Sequence, residues 1–370
     1  MKGLGKIIND LDKRRVVVIT DNDIKSLPFI ADTVDLLKSE GIEVSLFSDV
    51  GSNPTVEMVD NAAAFMKEEK PDAIVCIGGG SSIDTGKAAN VIYTHGGSAA
   101  DYNVLAGGME KITPKLLPLI AAPTTAGTGS EVTFVSVVGN TGDHAKFFIV
   151  SPHMLPDFAL LDPMLTVTLP PKMTAYTGLD ALTHAIEGYV SEGATTHGDA
   201  LVLHAIRVIG RALTIAVKRG DDLQAREDML VASAMAGTGA FINGLGICHA
   251  MSHPLSAVFG FAHGLANSMM LQKSMEFNLA TNPGRFADIA LALGANINGL
   301  SAEEAASKSV EAVGKLIEDL GVPRYLDDIG AVKDKIPELV ESALRDDALR
   351  NNPRKASREE IEAIYRASFR

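Results

Sequence analysis

Cysteine is nearly absent from this 370-residue chain: only Cys76 and Cys248 occur, far apart and each in an apolar segment. Two such residues cannot build a disulfide framework or a cysteine-ligated zinc site, and a reducing compartment is the simple inference. Basic charge is also short, with 33 Lys and Arg against 46 Asp and Glu and a net charge of −13. With no basic cluster and no interleaved aromatic run, that balance argues against nucleic acid or an anionic membrane surface as partner. No apolar run approaches the roughly 18 residues that a membrane span needs. The opening MKGLGKIINDLDKRR lacks a long apolar core before a small-residue cleavage site, so it does not read as a secretory signal. Cytoplasmic residence follows by default. Internal repeats and low-complexity tracts are missing as well.

What is present is an ordinary globular composition, 46% hydrophobic and 21% charged. At about 150 residues per domain, two domains are expected, each able to bury a core. Up to about residue 163, short β-branched runs alternate with helical stretches. Strands are predicted at 15–20, 43–47, 73–77, 117–122 and 158–162, with helices at 27–40, 55–68 and 81–94. Runs that are apolar throughout and separated by helices indicate a parallel sheet covered on both faces. Residues 131–150 hold two more extended runs around GNTGD, a hairpin signal. Beyond residue 164 helical periodicity dominates, over 172–190, 197–218, 223–241, 247–257, 263–276, 301–319, 333–345 and 357–368. Ser301 with Glu304 and Ser357 with Glu360 fit capping boxes. The boundary is placed in LDPMLTVTLPPKM, where prolines interrupt both patterns. An α/β domain over 1–163 and an all-α domain over 164–370 are expected.

Two glycine-bearing loops leave predicted strands. In PDAIVCIGGGSSIDTGKAAN, the run Gly78-Gly79-Gly80-Ser81 joins a buried strand to a helix, where backbone N–H groups can approach a phosphate. Ile83 stands where a dinucleotide fingerprint would place its third glycine, and a tight turn without ligand is an equal reading. The second loop, Pro123 to Glu131, brings Thr124, Thr125 and Thr128 to the carboxyl end of a strand, where ligands bind in such sheets. Its alternative is a capped turn. Asp21 ends the first strand and could accept hydrogen bonds from a ribose 2′-hydroxyl or simply cap the next helix. Asn53 reads as a turn residue.

The second half carries the chemistry. Asp180 and His184 stand four apart in TAYTGLDALTHAIEGY, so a helix sets both on one face. In GICHAMSHPLSAVFGFAHGLAN, His249 lies four before His253 and fourteen before His263. Pairs at helical spacing let one helix offer two ligands to one ion. A carboxylate with several imidazoles suits Fe²⁺, Zn²⁺ or a similar divalent ion. The pattern reads as a catalytic metal site. His95, His144, His153, His197 and His204 show no such pairing.

Taken together, GGGSSIDTGKA, PTTAGTGSEVT, LPPKMTAYTGLDALTHAIEGYVS and HAMSHPLSAVFGFAHGLAN resemble the iron-containing (group III) alcohol dehydrogenase family, its lactaldehyde reductase and 1,3-propanediol dehydrogenase branch in particular. The resemblance runs from near residue 3 to the end. It implies a dehydroquinate synthase-like fold, with a Rossmann-like nucleotide-binding domain and a helical domain holding a cleft between them. It implies Asp180, His184, His249 and His263 as metal ligands, with Fe²⁺ as the ion and Zn²⁺ as the alternative. It assigns His253 to proton transfer. Asp21, Asn53, Gly79, Gly80, Ser81, Asp84, Thr124, Thr125, Thr128 and Lys146 become contacts of a dinucleotide, with Asp21 favouring NAD over NADP. The implied reaction moves a hydride between NAD(H) and a short-chain primary alcohol or its aldehyde; a zinc polyol dehydrogenase of the glycerol type is the runner-up. A homodimer or higher homo-oligomer is implied too. Family members begin earlier, with a strand that helps join a dimer in lactaldehyde reductase-like members. Val135, Ala240 and Ala348 replace larger or polar residues of the pocket wall, which implies a roomier pocket.

Overall fold

The structure, a computed structural model, describes residues 1–139 and 146–370. It divides into two compact units, Met1–Thr125 with Ser130–Thr166, and Ala126–Gly129 with Val167–Arg370.

In the first unit α1 (Leu4–Asp10) precedes β1 (Arg15–Ile19), α2 (Pro28–Ser39), β2 (Glu43–Phe47), α3 (Val56–Glu69), β3 (Ala73–Gly78) and α4 (Gly80–His95). Then come β4 (Leu119–Pro123), β5 (Val135–Gly139), β6 (Lys146–Val150) and the two-residue β7 (Phe158–Ala159). A parallel sheet runs in the order β2-β1-β3-β4-β7. Its central strands are apolar on both faces because both are covered. Val17, Ile19, Ile74 and Cys76 join one core with residues of α3 and α4. Val16, Val18, Val75 and Ile77 point the other way, onto Leu4, Ile8, Ile30 and Leu37 of α1 and α2. Because β2 and β3 flank β1 on opposite sides, the order reverses there, and it is outside the carboxyl ends of the strands at such a switch point that ligands bind in sheets of this kind.

The predicted strands and helices of this half are found, with shifted ends. The expected strand 158–162 keeps only two paired residues before Pro163. Helix α1 was not foreseen; seven residues give too short a window for periodicity, yet Leu4 and Ile8 meet the core one turn apart. Strands β5 and β6 form the expected antiparallel hairpin. The turn of that hairpin, and His144 with it, lie outside the described residues.

The second unit holds α5 (Pro171–Val190), α6 (Thr196–Lys218), α7 (Leu223–Asn243), α8 (Ile247–Phe259) and α9 (His263–Asn278). They are followed by α10 (Pro283–Ala292), α11 (Ala302–Asp319), α12 (Ile336–Leu344) and α13 (Arg358–Ala367). Helix α5 is central, packed by α6, α7 and α9. Glycine makes the close approach: a Cβ on Gly188 would stand 3.0 Å from Cα of Ala240 in α7. The segment 126–129 is sewn to this unit in the same way. Gly129 has φ +63°, and a Cβ there would lie 2.7 Å from Cα of Gly237, so neither strain nor space admits a larger residue. Both capping boxes form as expected, Ser301 with Glu304 and Ser357 with Glu360. Helix α10 was missed, although Asn282 caps it and Pro283 occupies its first position, a start signal in plain view.

Among the described residues one helix, α6, is long and apolar enough by length and composition to cross a membrane. Helices α7 and α8 pass that test only as a single span, and they are bent by 109°. The α6 sequence is an amphipathic core helix. Val202, Ala205, Ile206, Ile209 and Leu213 are buried in the main cluster, while Arg207 and Arg211 face solvent.

Candidate active site

In the second unit the expected ligands come from three helices. Helical spacing stacks Asp180 and His184 on α5; α8 contributes His249 and His253; His263 opens α9. Around Oδ1 of Asp180 stand Nδ1 of His184 at 3.8 Å, Nε2 of His249 at 3.9 Å and Nε2 of His263 at 3.5 Å. The ligand atoms of Asp180, His184 and His249 all lie within 4.8 Å of one another. Asp180 and His249 are almost wholly buried, 2% and 1% exposed. Burying a carboxylate among imidazoles is costly unless something cationic or strongly hydrogen-bonding joins them. Asn267, one turn beyond His263, supplies part of that: its amide donates to Asp180 Oδ1 at 2.6 Å. Among the described residues the buried Nδ1 of His184 has no hydrogen-bond partner. Three imidazoles, one of them with this orphaned buried nitrogen, and one carboxylate make a donor set that fits a divalent transition-metal ion.

Two carboxylates that the sequence reading overlooked stand behind the imidazoles. Glu187 Oε2 lies 2.5 Å from Nδ1 of His249. Asp346 Oδ2 lies 2.6 Å from Nδ1 of His253. Burial pushes Glu187 up to about 7 and holds His249 well below the ordinary histidine value, with His184 adding to the latter. Asp346 falls below the ordinary carboxylate value: burial raises it, but the hydrogen bond and charge of His253 outweigh that. Glu187 had a local signal, since positions 180, 184 and 187 share one helix face. Asp346 had none, being 93 residues from its partner. The His253 ring stacks on His263 with centroids 5.3 Å apart.

In the first unit the two glycine-bearing loops meet. Gly79 is the N-cap of α4 and brings no side chain to it, leaving the helix start to backbone N–H groups. Gly80 and Ser81 form its first turn. The Thr124 N–H donates to the Gly78 carbonyl at 3.0 Å, and a Cβ on Gly79 would lie 3.5 Å from Thr125 Oγ1. Ser81 donates to the Ser52 carbonyl at 2.8 Å, which fixes exposed Asn53 beside the same turn. Asp21 lies at the end of β1, where its Oδ2 accepts from Ser82 at 3.1 Å and its Oδ1 from the N–H groups of Asp23 and Ile24 at 3.1 and 3.2 Å. Helix α2 has Leu27 as N-cap, so Asp21 caps the turn before it instead.

Asp84 is 8% exposed and turned inward. It accepts from Ser130 at 2.5 Å and from the Val137 N–H at 3.0 Å, with Lys87 Nζ 3.4 Å away. It braces the second loop and β5 onto α4. Lys146 opens β6. Thr128 falls in the segment 126–129, within the second unit. Val135 opens β5, and Ala348 is half-buried in the 3₁₀ turn Asp347–Asn351. Ala240 is buried against Gly188, so its small side chain serves helix packing.

The carboxylate–imidazole cluster of the second unit fits a divalent metal ion, and the glycine turn of the first fits a phosphate-bearing ligand. The comparisons agree. Residues 1–163 match the family model described as iron-containing alcohol dehydrogenase, and residues 174–369 match the C-terminal model of the same family. A 1,3-propanediol dehydrogenase of Klebsiella pneumoniae is 41% identical over 97% of this chain and 92% of its own. A lactaldehyde reductase of Escherichia coli K12 is 36% identical over 99% and 96%. The structure of sulfoacetaldehyde reductase from Bifidobacterium kashiwanohense in complex with NAD⁺ superposes with a TM-score of 0.89 at 32% identity, covering 99% and 95%. The chain belongs to the iron-containing alcohol dehydrogenase family and shares its fold. It is an enzyme of alcohol and aldehyde oxidoreduction, and the match does not favour the zinc-dependent polyol alternative.

Proposed function

We propose that this chain interconverts a short-chain primary alcohol and its aldehyde with NAD(H), using Fe²⁺ held by Asp180, His184, His249 and His263. The observation that carries the reading is the gathering of those donors about Asp180 Oδ1. When bound, the ion would supply Lewis acidity that lowers the pKa of the alcohol, and the nicotinamide would supply the hydride acceptor. His253 handles the proton. Ionised Asp346 only accepts hydrogen bonds, so it keeps the proton of His253 on Nδ1 and leaves Nε2 basic. The α4 N-terminus, Gly79, Gly80 and Ser81 support the pyrophosphate through backbone N–H groups and the helix dipole. Within the first unit Asn53, Thr124, Thr125 and Lys146 complete that contact set, and Asp84 acts through the loop it holds. Asp21 supports NAD over NADP because its Oδ2 retains accepting capacity beside Gly78 and would repel a 2′-phosphate.

The same reading extends to a cytoplasmic homodimer or larger homo-oligomer with no nucleic acid or membrane partner. Both cysteines are free and buried, and β7 is a sheet edge with Phe158 and Leu155 exposed beside it. The decisive experiment is anaerobic metal analysis with NADH oxidation against propanal, butanal, lactaldehyde and sulfonated or carboxylated aldehydes. Activity that tracks iron content is expected. Undiminished turnover in a thoroughly chelated preparation would end the metal assignment.

A further inference from the structure

Glu187 lies on α5 one turn beyond His184 and is 4% exposed. Its two oxygens have different partners. Oε1 accepts the Cys248 backbone N–H at 2.6 Å, in the first turn of α8. Oε2 meets Nδ1 of His249 at 2.5 Å. The N-cap of α8 is Gly246, which has no side chain to offer; Asn352 helps instead, accepting the Ile247 N–H at 3.0 Å. A Cβ at position 246 would stand 2.9 Å from Glu187 Oε1 and 2.8 Å from Asn352 Oδ1. Glycine there is what lets both distant caps close in.

Oε1 already accepts the Cys248 N–H, and a carboxylate that accepts at Oε2 as well sets the proton of neutral His249 on Nδ1. Nε2 is then left with its lone pair, and it is Nε2 that faces Asp180. From this geometry we infer that Glu187 is a positioning residue of the metal centre, fixing the tautomer and ring orientation of His249 while it caps α8. The inference rests on the metal-centre reading above. One side chain thereby couples the start of a helix to the ligand that this helix carries. Carboxylates placed behind ligating imidazoles change metal affinity in this way in general.

Glu187→Gln separates the two roles. Its carbonyl can still cap Cys248, but its NH₂ then faces Nδ1 of His249 and donates to it. That drives the imidazole proton to Nε2 and blocks coordination. The test is a competition titration of the full-length chain with Co²⁺ against a chromophoric chelator, run on wild type, Glu187→Gln and Asp180→Ala. Glu187→Gln is expected to bind Co²⁺ roughly 10- to 100-fold more weakly, with the metal-free thermal midpoint close to wild type. Equal affinity and an unchanged Co²⁺ visible spectrum would reduce Glu187 to a helix cap. If the variant does not fold, ¹⁵N shifts of His249 in metal-free wild type decide: the Nδ1–H tautomer supports the inference and Nε2–H overturns it. If wild type binds Co²⁺ no better than Asp180→Ala, the metal-centre reading itself fails and this inference falls with it.

Discussion

The amide nitrogen of Asn267 stands 2.6 Å from Oδ1 of Asp180 and 3.2 and 3.1 Å from the Nε2 atoms of His249 and His263. It thus sits among the donors that a cation would share, while its own Oδ1 is buried without a partner among the described residues. Asn267→Asp would set a second carboxylate against Asp180, an arrangement that is unfavourable until a cation joins it. The metal-induced rise in thermal midpoint should exceed that of wild type by an amount worth about 1 kcal/mol or more, roughly 1–2 °C for a chain of this size. Differential scanning with and without Co²⁺ measures it, and an equal or smaller rise would remove Asn267 from the site.

His253 and Asp346 should behave as a proton-handling pair. His253→Ala is expected to lower turnover by about 10²- to 10⁴-fold, the usual range for a general acid–base group, with metal content retained. Collapse of metal content would mean that a ligand has been mistaken for a relay. Asp346→Asn should cost less, on the order of tenfold or ~1.4 kcal/mol. It should also remove a pH-dependent stability. The folded Asp346 titrates below its ordinary value of 3.8, so its contribution is present above that pH and lost as pH falls through the folded value.

Coenzyme choice should turn on the charge of Asp21. Asp21→Asn keeps a carbonyl acceptor for Asp23 and Ile24 but removes the anion. The NADP-to-NAD ratio of kcat/KM is expected to rise by about tenfold, or 1.4 kcal/mol. An unchanged ratio places the ribose elsewhere.

Glu131 is a buried acid of the first unit, and its Oε1 has no hydrogen-bond partner among the described residues. Burial pushes it up from 4.5 to about 7. A raised acid binds more protons folded than unfolded. Its contribution is therefore greatest below about 4.5 and is lost as pH rises to about 7. At 1.36 kcal/mol per unit this amounts to ~3 kcal/mol. Glu131→Gln should flatten that decline across the window, read from thermal midpoints against pH. A parallel decline in both proteins would show that Glu131 is not its source.

The sequence determined much by itself. Fully apolar runs such as AIVCI need cover on both faces, and that dictated a parallel sheet. The i,i+4 spacing of Asp180 with His184, and of His249 with His253, put each pair on one helix face. Capping boxes at Ser301 and Ser357 marked helix starts through purely local hydrogen bonds. Tertiary structure alone decided what depends on distant packing: that three helices bring their donors to one oxygen of Asp180, and that Gly129 meets Gly237 backbone to backbone. It also turned Asp84 inward to Ser130 and set Glu187 and Asp346 behind His249 and His253. Periodicity reports which face of an element is buried, because that follows from backbone geometry. It does not report which residue lies across the contact, because that is settled by the packing of elements far apart in the chain.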